Sequence, residues 1–366
     1  MLTKADDYPV HQRPEPVATA GSDRNFYDRY YFQGYNADQT ISFGASLGVY
    51  PHLDLLDAVF MIQHNGQQHS LYASRHLNSE RMDTVAGPIS VEVIEPLQCL
   101  RLKVTDNEHG IAADLTFNGL VAPIEEPRFT YRAGPRTILD LTRMTQGGTW
   151  QGTVGLGAET FNVSGWRGTR DRSWGIRPLG ARDLQPMPGA GLSQWFWLWA
   201  PMHFDDYLVF FHTNDDVQGK GWNRSAMLVP LDGRAPLELM DVGFSVTYRS
   251  GTRQIAQAVI HGRCPDGTAV KVELEGGQVT YKQGEGYNHP VWGHGSYHGA
   301  LAVHHETLNV QLADPNDMAQ VHLHTYCTAR LSLGNQAVRP GQAVLEQMIV
   351  GAHQPSGFQG MDDLAR

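Results

Sequence analysis

The chain has 366 residues, a length that accommodates two domains of ordinary size with a core in each. Its formal net charge is −10, and no run of Lys or Arg occurs, which disfavours nucleic acid and an anionic membrane surface as partners. Cys99, Cys264 and Cys327 are far apart and form no C-x-x-C pair, which disfavours a disulfide framework and a cysteine-rich zinc site.

The first 24 residues are polar and rich in Pro and acids, and we interpret them as an N-terminal arm. They lack the apolar segment of a signal peptide. No apolar run reaches the roughly 18–20 residues that a membrane span requires. We therefore expect a cytoplasmic protein without an integral membrane segment; its oligomeric state is open, with a homodimer as one option.

Apolar and polar residues alternate with a period of two in residues 89–93, 100–104 and 270–274, and clusters of Gly, Pro, Asn and Asp bound these segments. Short alternating segments separated by turn residues are typical of antiparallel sandwiches and barrels. The sequence therefore predicts an all-β protein with few short helices, one of them at residues 136–146 before Gly147 and Gly148. The absence of βαβ alternation and of a G-x-G-x-x-G turn disfavours a nucleotide cofactor.

Breaker residues concentrate at 178–191, and strand-like sequence resumes at Ser193. We place a first barrel at residues 25–183 and a second at residues 184–353. Residues 354–366 are expected to form a loose C-terminal tail.

The segment at residues 165–177 combines four arginines, one aspartate and two tryptophans with flanking glycines, which predicts a charged turn between the barrels. In a functional interpretation, Asp171 exchanges a proton with the substrate and Trp174 forms a pocket wall. In a structural interpretation, the arginines and Asp171 join the two barrels, and Trp166 and Trp174 belong to the core.

Two further segments concentrate aromatic and titratable groups. Trp195, Trp197 and Trp199 alternate and so share one strand face, where such residues more often fill a barrel interior than bind a ligand. His203 follows near a turn, where barrels place functional groups. Residues 284–298 form a polar and aromatic loop with four candidates: Glu285, Tyr287, Trp292 and His294.

The sequence contains 17 histidines, which makes a zinc site one option. His322 and His324 would share a strand face, but no third ligand is evident from the sequence. We predict neither a metal nor another cofactor.

Four segments, residues 31–35, 140–152, 168–177 and 284–286, resemble the tandem-lipocalin superfamily. This superfamily includes the carotenoid 1,2-hydratases (hydroxyneurosporene synthases), the AttH-like proteins and, more distantly, tocopherol-cyclase-like and fungal Diels–Alderase proteins. The resemblance runs from about residue 25 to about residue 350. It implies two lipocalin-like antiparallel β-barrels packed together, with a hydrophobic ligand between or within them.

The hydratases of that superfamily protonate an isoprenoid alkene and add water to the cation without a cofactor. They carry an Asp-His-Asn-Trp-Gly sequence, which Asp171, Trp174 and Gly175 match, whereas Arg172 and Ser173 replace the His and Asn. An arginine keeps its charge near neutral pH and cannot shuttle a proton. Arg172 could instead hold Asp171 ionised or bind an oxygenated, anionic substrate.

The sequence thus favours a cofactor-independent enzyme of hydratase/lyase, isomerase or cyclase type acting on an isoprenoid-, steroid- or polycyclic-like compound. The alternative is a non-catalytic carrier or sensor of a lipophilic ligand. For catalysis we expect Asp171 as the acid–base group, oriented by Arg170 or Arg172. The candidate catalytic residues are Asp171, Arg172, His203, Tyr287 and Glu285; the candidate substrate-binding residues are Trp174, Trp195, Trp197, Trp199, Arg170, Trp292 and His294.

Overall fold

A computed structural model describes residues 2–11, 23–180 and 193–366. Most of the predicted break at 178–191 and part of the predicted arm lie outside the described residues.

The first strands are β1 (Phe26–Tyr35), β2 (Ser42–Tyr50), β3 (Leu55–His64), β4 (Gln67–His76), β5 (Val85–Ala86), β6 (Ile89–Glu95), β7 (Cys99–Val104), β8 (Ile111–Gly119), β9 (Ile124–Glu125), β10 (Phe129–Ala133), β11 (Arg136–Leu156) and β12 (Glu159–Ile176). The later strands are β13 (Gln194–Phe204), β14 (Tyr207–Asp215), β15 (Gly221–Pro230), β16 (Leu237–Glu238), β17 (Met240–Tyr248), β18 (Ile255–Arg263), β19 (Ala269–Tyr281), β20 (Leu301–Asn309), β21 (His322–Leu333) and β22 (Arg339–Gly351). Single turns of 3₁₀-helix occur at Lys4–Asp7, Pro51–Leu53, Lys282–Glu285 and Gln354–Ser356.

These strands form two antiparallel sheets, each closing into a nearly complete barrel. The first sheet has the order β20-β4-β3-β2-β1-β12-β11-β8-β7-β6-β5, with β9 and β10 pairing with β11. The second has the order β16-β15-β14-β13-β22-β21-β19-β18-β17. The predicted all-β class with two barrels is confirmed.

The chain divides into two compact units, one for each sheet. The first unit comprises Met1–Arg182 and Gly284–Asn309, and the second comprises Asp183–Gln283 and Val310–Arg366. Sequence order alone had placed residues 284–309 within the range 184–353. Strand β20 is therefore an element of the first sheet, paired with β4.

Most strands show the alternation that the sequence predicts. In β7 the side chains of Leu100, Leu102 and Val104 are buried and the intervening residues are partly exposed. Strands β1, β2, β3, β13 and β14 differ, because nearly every residue in them is buried. One face of each of these strands lines its barrel core, and the other face buries a mixture of polar, aromatic and aliphatic side chains.

Residues 136–146 do not form the predicted helix; they lie in β11. This strand pairs with β12 along its length and with β8, β9 and β10 on its other edge. A Cβ at Gly148 would lie 2.3 Å from the Phe117 ring, so this glycine permits the close approach of β8 instead of ending a helix. Sheet pairing on both edges outweighs the weak local preference for helix.

The expected loose tail at residues 354–366 is also wrong, because these residues are bound to the second unit. Phe358 is buried in its core. The guanidinium of Arg253 donates hydrogen bonds to the carbonyl oxygens of Gly360 (2.6 Å) and Asp363 (2.8 Å). In the described part of the chain, no helix has the length and hydropathy that a membrane crossing requires.

Candidate active site

Residues 168–175 lie within β12 and do not form the predicted turn between barrels. β12 pairs with β1 and β11, so successive side chains point to opposite faces of the sheet. Arg170, Arg172 and Trp174 point to the barrel-core face. Asp171 and Ser173 point to the opposite face, beside Tyr31 and Arg29 of β1.

On the barrel-core face, both arginines of this segment are bound to buried carboxylates. Arg172 forms an ion pair with Asp28 in which both side chains have no exposed surface, and its guanidinium lies 3.9 Å from the Tyr30 ring centroid. Arg170 forms an ion pair with Asp7 and donates from Nε to Gln146 Oε1 at 2.7 Å. The expectation that Arg170 or Arg172 orients Asp171 is therefore wrong, because strand alternation separates them.

The N-terminal residues complete this core-face network. His11 stacks on Trp174 with ring centroids 3.6 Å apart, and its ring nitrogens lie 3.0 Å from Asp28 and 2.9 Å from Asp6. Burial acts to raise the pKa of Asp28, but Arg172 and His11 outweigh it and hold that pKa below its usual value. Trp174 and Arg172 therefore belong to the core-face network.

The opposite face of the first sheet carries a row of polar residues. Asp57 of β3, Gly48 of β2, Arg29 of β1 and Ser173 of β12 lie directly across from one another. A Cβ at Gly48 would lie 2.4 Å from the Tyr50 hydroxyl, so this glycine lets Tyr50 fold over the sheet. The Tyr50 hydroxyl accepts from Arg29 Nη2 at 3.1 Å and donates to Asp57 Oδ1 at 3.2 Å.

Residues 284–299 cover this row within the same unit. Asp57 accepts from the Gly295 N–H at 2.7 Å and lies 3.4 Å from His294 Nδ1, and His294 Nε2 lies 3.5 Å from Ser46 Oγ. The Tyr287 ring meets the His294 ring edge-on at 4.8 Å. Because a carboxylate only accepts hydrogen bonds, Nδ1 carries the proton of the neutral ring and Nε2 is the basic nitrogen.

Burial changes the protonation of this constellation. It acts with the charge of Arg29 to lower the pKa of His294 to about 4, although Asp57 works in the opposite direction. Burial also raises the pKa of Tyr50 well above its usual value, against the effect of Arg29. At neutral pH the site therefore contains a neutral imidazole, a neutral phenol and a fixed guanidinium charge.

Several buried polar atoms on this face have no hydrogen-bond partner among the described residues: Arg29 Nε and Nη1, Gln33 Nε2 and Oε1, and Thr169 Oγ1. Arg29, Gln33 and Thr169 are at most 2% exposed. Native proteins rarely leave buried polar groups unsatisfied, and clusters of them mark places where water or a ligand binds. This face is thus the candidate binding surface of the first unit.

The structure brings together three of the sequence candidates on this face, namely Glu285, Tyr287 and His294. Glu285 is buried against Gly44 of β2, where a Cβ would lie 2.5 Å from its carboxyl group. Asp171 is partly buried on the same face, directly across from Tyr31. Trp292 stacks on His298 at 3.8 Å.

Sequence reasoning missed Arg29, Tyr50 and Asp57. The available signal was the aromatic opening strand at residues 26–35, in which Tyr27, Arg29, Tyr31 and Gln33 alternate with core residues. Asp57 follows a Leu-Leu pair in a buried strand, where a charge is unexpected without a function or a partner.

The remaining candidates lie on β13 of the second unit. Phe196, Leu198, Ala200 and Met202 fill its core, so the predicted placement of the tryptophans in the barrel interior is wrong. Trp195 meets Trp222 edge-on, and Trp199 lies directly across from His212 and Glu346. His203 is buried on the same strand face as these tryptophans.

A buried carboxylate organises this second face. Glu346 accepts from Trp197 Nε1 at 2.8 Å and lies 2.9 Å and 2.8 Å from the Nε2 atoms of His322 and His324. The two histidines share a face, as predicted. Burial acts to raise the pKa of Glu346, but the two histidines hold it well below its usual value. Among the described residues, no three His, Cys, Asp or Glu side chains are grouped to hold a metal ion.

The second unit also contains a cavity of about 150 Å³ beside its C-terminal residues. Its lining is mainly apolar and includes Leu323, Ile349, Val350, Met361 and Leu364.

Comparison with known proteins places the chain in a family. Residues 2–359 match a family of unknown function, DUF8625. The chain belongs to this family. No curated protein sequence matches it significantly.

An AttH protein and CghA share the fold of this DUF8625 member. An AttH protein from Nitrosomonas europaea has a TM-score of 0.51 and 11% identity, over 92% of this chain and 97% of that chain. CghA, solved with Sch210972, has a TM-score of 0.53 and 10% identity, over 94% and 95% of the two chains. Kievitone hydratase from Nectria haematococca has a TM-score of 0.45 and 10% identity, over 93% and 92%. The predicted tandem-lipocalin fold is confirmed.

Proposed function

We propose that the protein is a cofactor-independent enzyme of hydratase/lyase, isomerase or cyclase type that acts on a small hydrophobic substrate. The observation that carries this proposal is the buried pair of Asp57 and His294 beside Arg29, on a face where buried polar atoms have no partner among the described residues. A base held by a carboxylate and a cation able to bind an oxygen are the parts that acid–base catalysis requires.

Each residue has a separate role. His294 Nε2 takes a proton from a carbon of the substrate, and the electrons of that C–H bond move onto the substrate as an enolate-like anion. Asp57 stabilises the imidazolium that forms, and Arg29 stabilises the negative oxygen. The imidazolium then returns its proton to the substrate. The Tyr50 hydroxyl bridges Arg29 and Asp57 and holds their side chains in place. Asp171 is a second acid–base candidate on the same face.

Fold comparison supports an interior able to accept a compound, because CghA was solved with Sch210972. Glu285 and Tyr287 are assigned to substrate positioning, together with Trp292 at the edge of the face. Within the second unit, His203 and the tryptophans of β13 are kept as candidate ligand-binding residues.

The test begins with mass spectrometry of compounds extracted from the purified full-length protein, followed by turnover assays of the compound found. His294→Gln is expected to lower kcat by about 10²- to 10⁴-fold, since it removes the base. Asp57→Asn should lower kcat as well, and Asp171→Asn tests the second carboxylate. His64→Gln, on a partly exposed residue of β3, is the matched control and should leave kcat unchanged. Wild-type turnover in His294→Gln would contradict the assignment of the base.

A non-catalytic carrier is the second candidate, and the cavity of the second unit favours it. Its volume of about 150 Å³ is below the roughly 300 Å³ at which sites for drug-sized ligands begin, so it suits only a small apolar molecule. Recovery of a compound that the wild-type protein binds but does not convert would support the carrier and exclude the enzyme.

A further inference from the structure

Arg29 is a buried cation that forms no direct ion pair among the described residues, although the Tyr50 hydroxyl links it to Asp57. Its side chain is 2% exposed, and no carboxylate among the described residues lies within ion-pair distance of it. Only Nη2 has a hydrogen-bond partner, the Tyr50 hydroxyl; Nε and Nη1 have none among the described residues. A guanidinium is always charged, and burying it unpaired is costly.

Three tyrosine rings surround this cation. The guanidinium carbon lies 5.3 Å from the ring centroids of Tyr27 and Tyr287 and 5.9 Å from that of Tyr50. The π faces attract the cation, but they neither accept the in-plane N–H bonds nor neutralise its charge. A planar, singly charged group with two oxygens suits such donors, as in Arg–carboxylate pairs.

We propose that the ligand of this face is a hydrophobic carboxylic acid, bound as its carboxylate by Arg29. This inference rests on the proposed function for its site and adds the chemical class of the substrate. The carboxylate supplies the missing anion, and the aromatic surroundings bind the apolar part of the molecule.

Binding has a consequence for His294. Burial and the charges of Arg29 and Arg177 lower the pKa of His294 to about 4, and Asp57 acts in the opposite direction. A carboxylate on Arg29 cancels that repulsion, so the pKa of His294 rises in the complex. By linkage, the ligand then binds more tightly when His294 is protonated, and binding at mildly acidic pH takes up a proton.

The test uses the full-length protein and two probes of equal chain length, octanoate and 1-octanol, in isothermal titration at pH 7. The wild-type protein is expected to bind octanoate about 10- to 100-fold more tightly, the range that a charge-assisted hydrogen bond supplies. Arg29→Gln should remove this preference. Arg128→Gln, on the exposed partner of Asp140, makes the same charge change and should keep it.

A second measurement follows the histidine directly. In isotope-labelled protein, the His294 signal is assigned by its absence in His294→Gln and titrated with and without octanoate. The expected result is a higher pKa with octanoate in the wild type and no change in Arg29→Gln. Equal binding of the two probes by the wild type, no octanoate binding, or a preference that survives Arg29→Gln would overturn the inference.

These outcomes are separate from the test of the proposed function. A neutral extracted compound whose turnover depends on His294 would leave the enzyme assignment intact and remove the carboxylate inference. An octanoate preference that depends on Arg29, without turnover of any extracted compound, would do the opposite.

Discussion

The two faces of strands β1 and β12 bury arginines in different ways. On the barrel-core face, Arg172 is paired with Asp28 and Arg170 with Asp7. On the opposite face, Arg29 has Tyr50 as its hydrogen-bond partner and no carboxylate within ion-pair distance among the described residues. Arg29 and Arg172 are both almost fully buried, and each has two guanidinium nitrogens without a hydrogen-bond partner among the described residues, but of these two only Arg172 forms an ion pair.

This difference distinguishes arginines that stabilise the fold from an arginine kept to bind a ligand. Removing one partner of a buried ion pair is strongly destabilising because it leaves the other charge buried and unpaired, and a cation that has no ion-pair partner already bears that cost in the native state. Such a cost is retained where a ligand needs the charge. Glu346 of the second unit resembles the paired case, because His322, His324 and Trp197 all bind its carboxylate.

The largest effect is expected for Arg172→Met. The substitution leaves Asp28 buried without its cation, so the free energy of unfolding should fall by about 3–5 kcal/mol. Urea unfolding with linear extrapolation measures this loss. The double variant Asp28→Leu/Arg172→Met removes both charges of the ion pair, so it should recover much of the free energy of unfolding that the single variant loses. A loss below about 1 kcal/mol in the single variant would show that the ion pair does not hold the core face together.

His294 should make stability depend on pH. Its pKa is about 4 in the folded protein and near 6.5 when unfolded, so the unfolded state binds the proton first as the pH falls. Stability contributed by the neutral ring is therefore complete above pH 6.5 and decreases toward pH 4, by about 3 kcal/mol in total. His294→Gln should flatten the curve in this window, measured by urea unfolding at several pH values. His64→Gln should leave the slope as in the wild type; an unchanged slope in His294→Gln would contradict a buried neutral His294.

Gly168→Ala should have a smaller effect. A Cβ there would lie 2.2 Å from Trp150 Nε1 and 2.4 Å from the Gln33 carbonyl oxygen, which are joined by a 3.0 Å hydrogen bond. Overpacking of this kind costs about 1–3 kcal/mol in the free energy of unfolding. Gly155→Ala in β11 is the control, because its Cβ would meet only ordinary contacts from 3.6 Å. Equal stabilities of the two variants would show that the backbone at residue 168 moves freely.

Alternation along the chain was enough to predict the all-β class, and the resemblance to tandem lipocalins implied the two barrels. Alternation failed where a local pattern competes with sheet pairing, as in residues 136–146 of β11. The segment at residues 168–175 was mistaken for a turn because glycines and charges resemble turn sequences. In the fold, the missing side chain of Gly168 leaves room for the Trp150 ring. Arg170 and Arg172 pair with carboxylates that are distant in sequence, those of Asp7 and Asp28.

The contact at the centre of the site could not be predicted from a local sequence pattern either, because it joins residues that are far apart in the chain. Asp57 and His294 are 237 residues apart, and their contact depends on residues 284–309 joining the first unit. The candidates Glu285, Tyr287 and His294 were recognisable because they cluster in a short polar loop. Arg29 was not recognisable, because the role of a single charge in an aromatic strand depends on which residues surround it in the fold.

The most direct measurement of the central claim is the unfolding free energy of Arg29→Met in urea, beside that of Arg172→Met. If Arg29 is kept for a ligand, Arg29→Met should lie within about 1 kcal/mol of the wild type or be more stable, while it loses the preference for octanoate over 1-octanol. A loss of about 3–5 kcal/mol, equal to that expected for Arg172→Met, would show that Arg29 serves the fold and contradict the account.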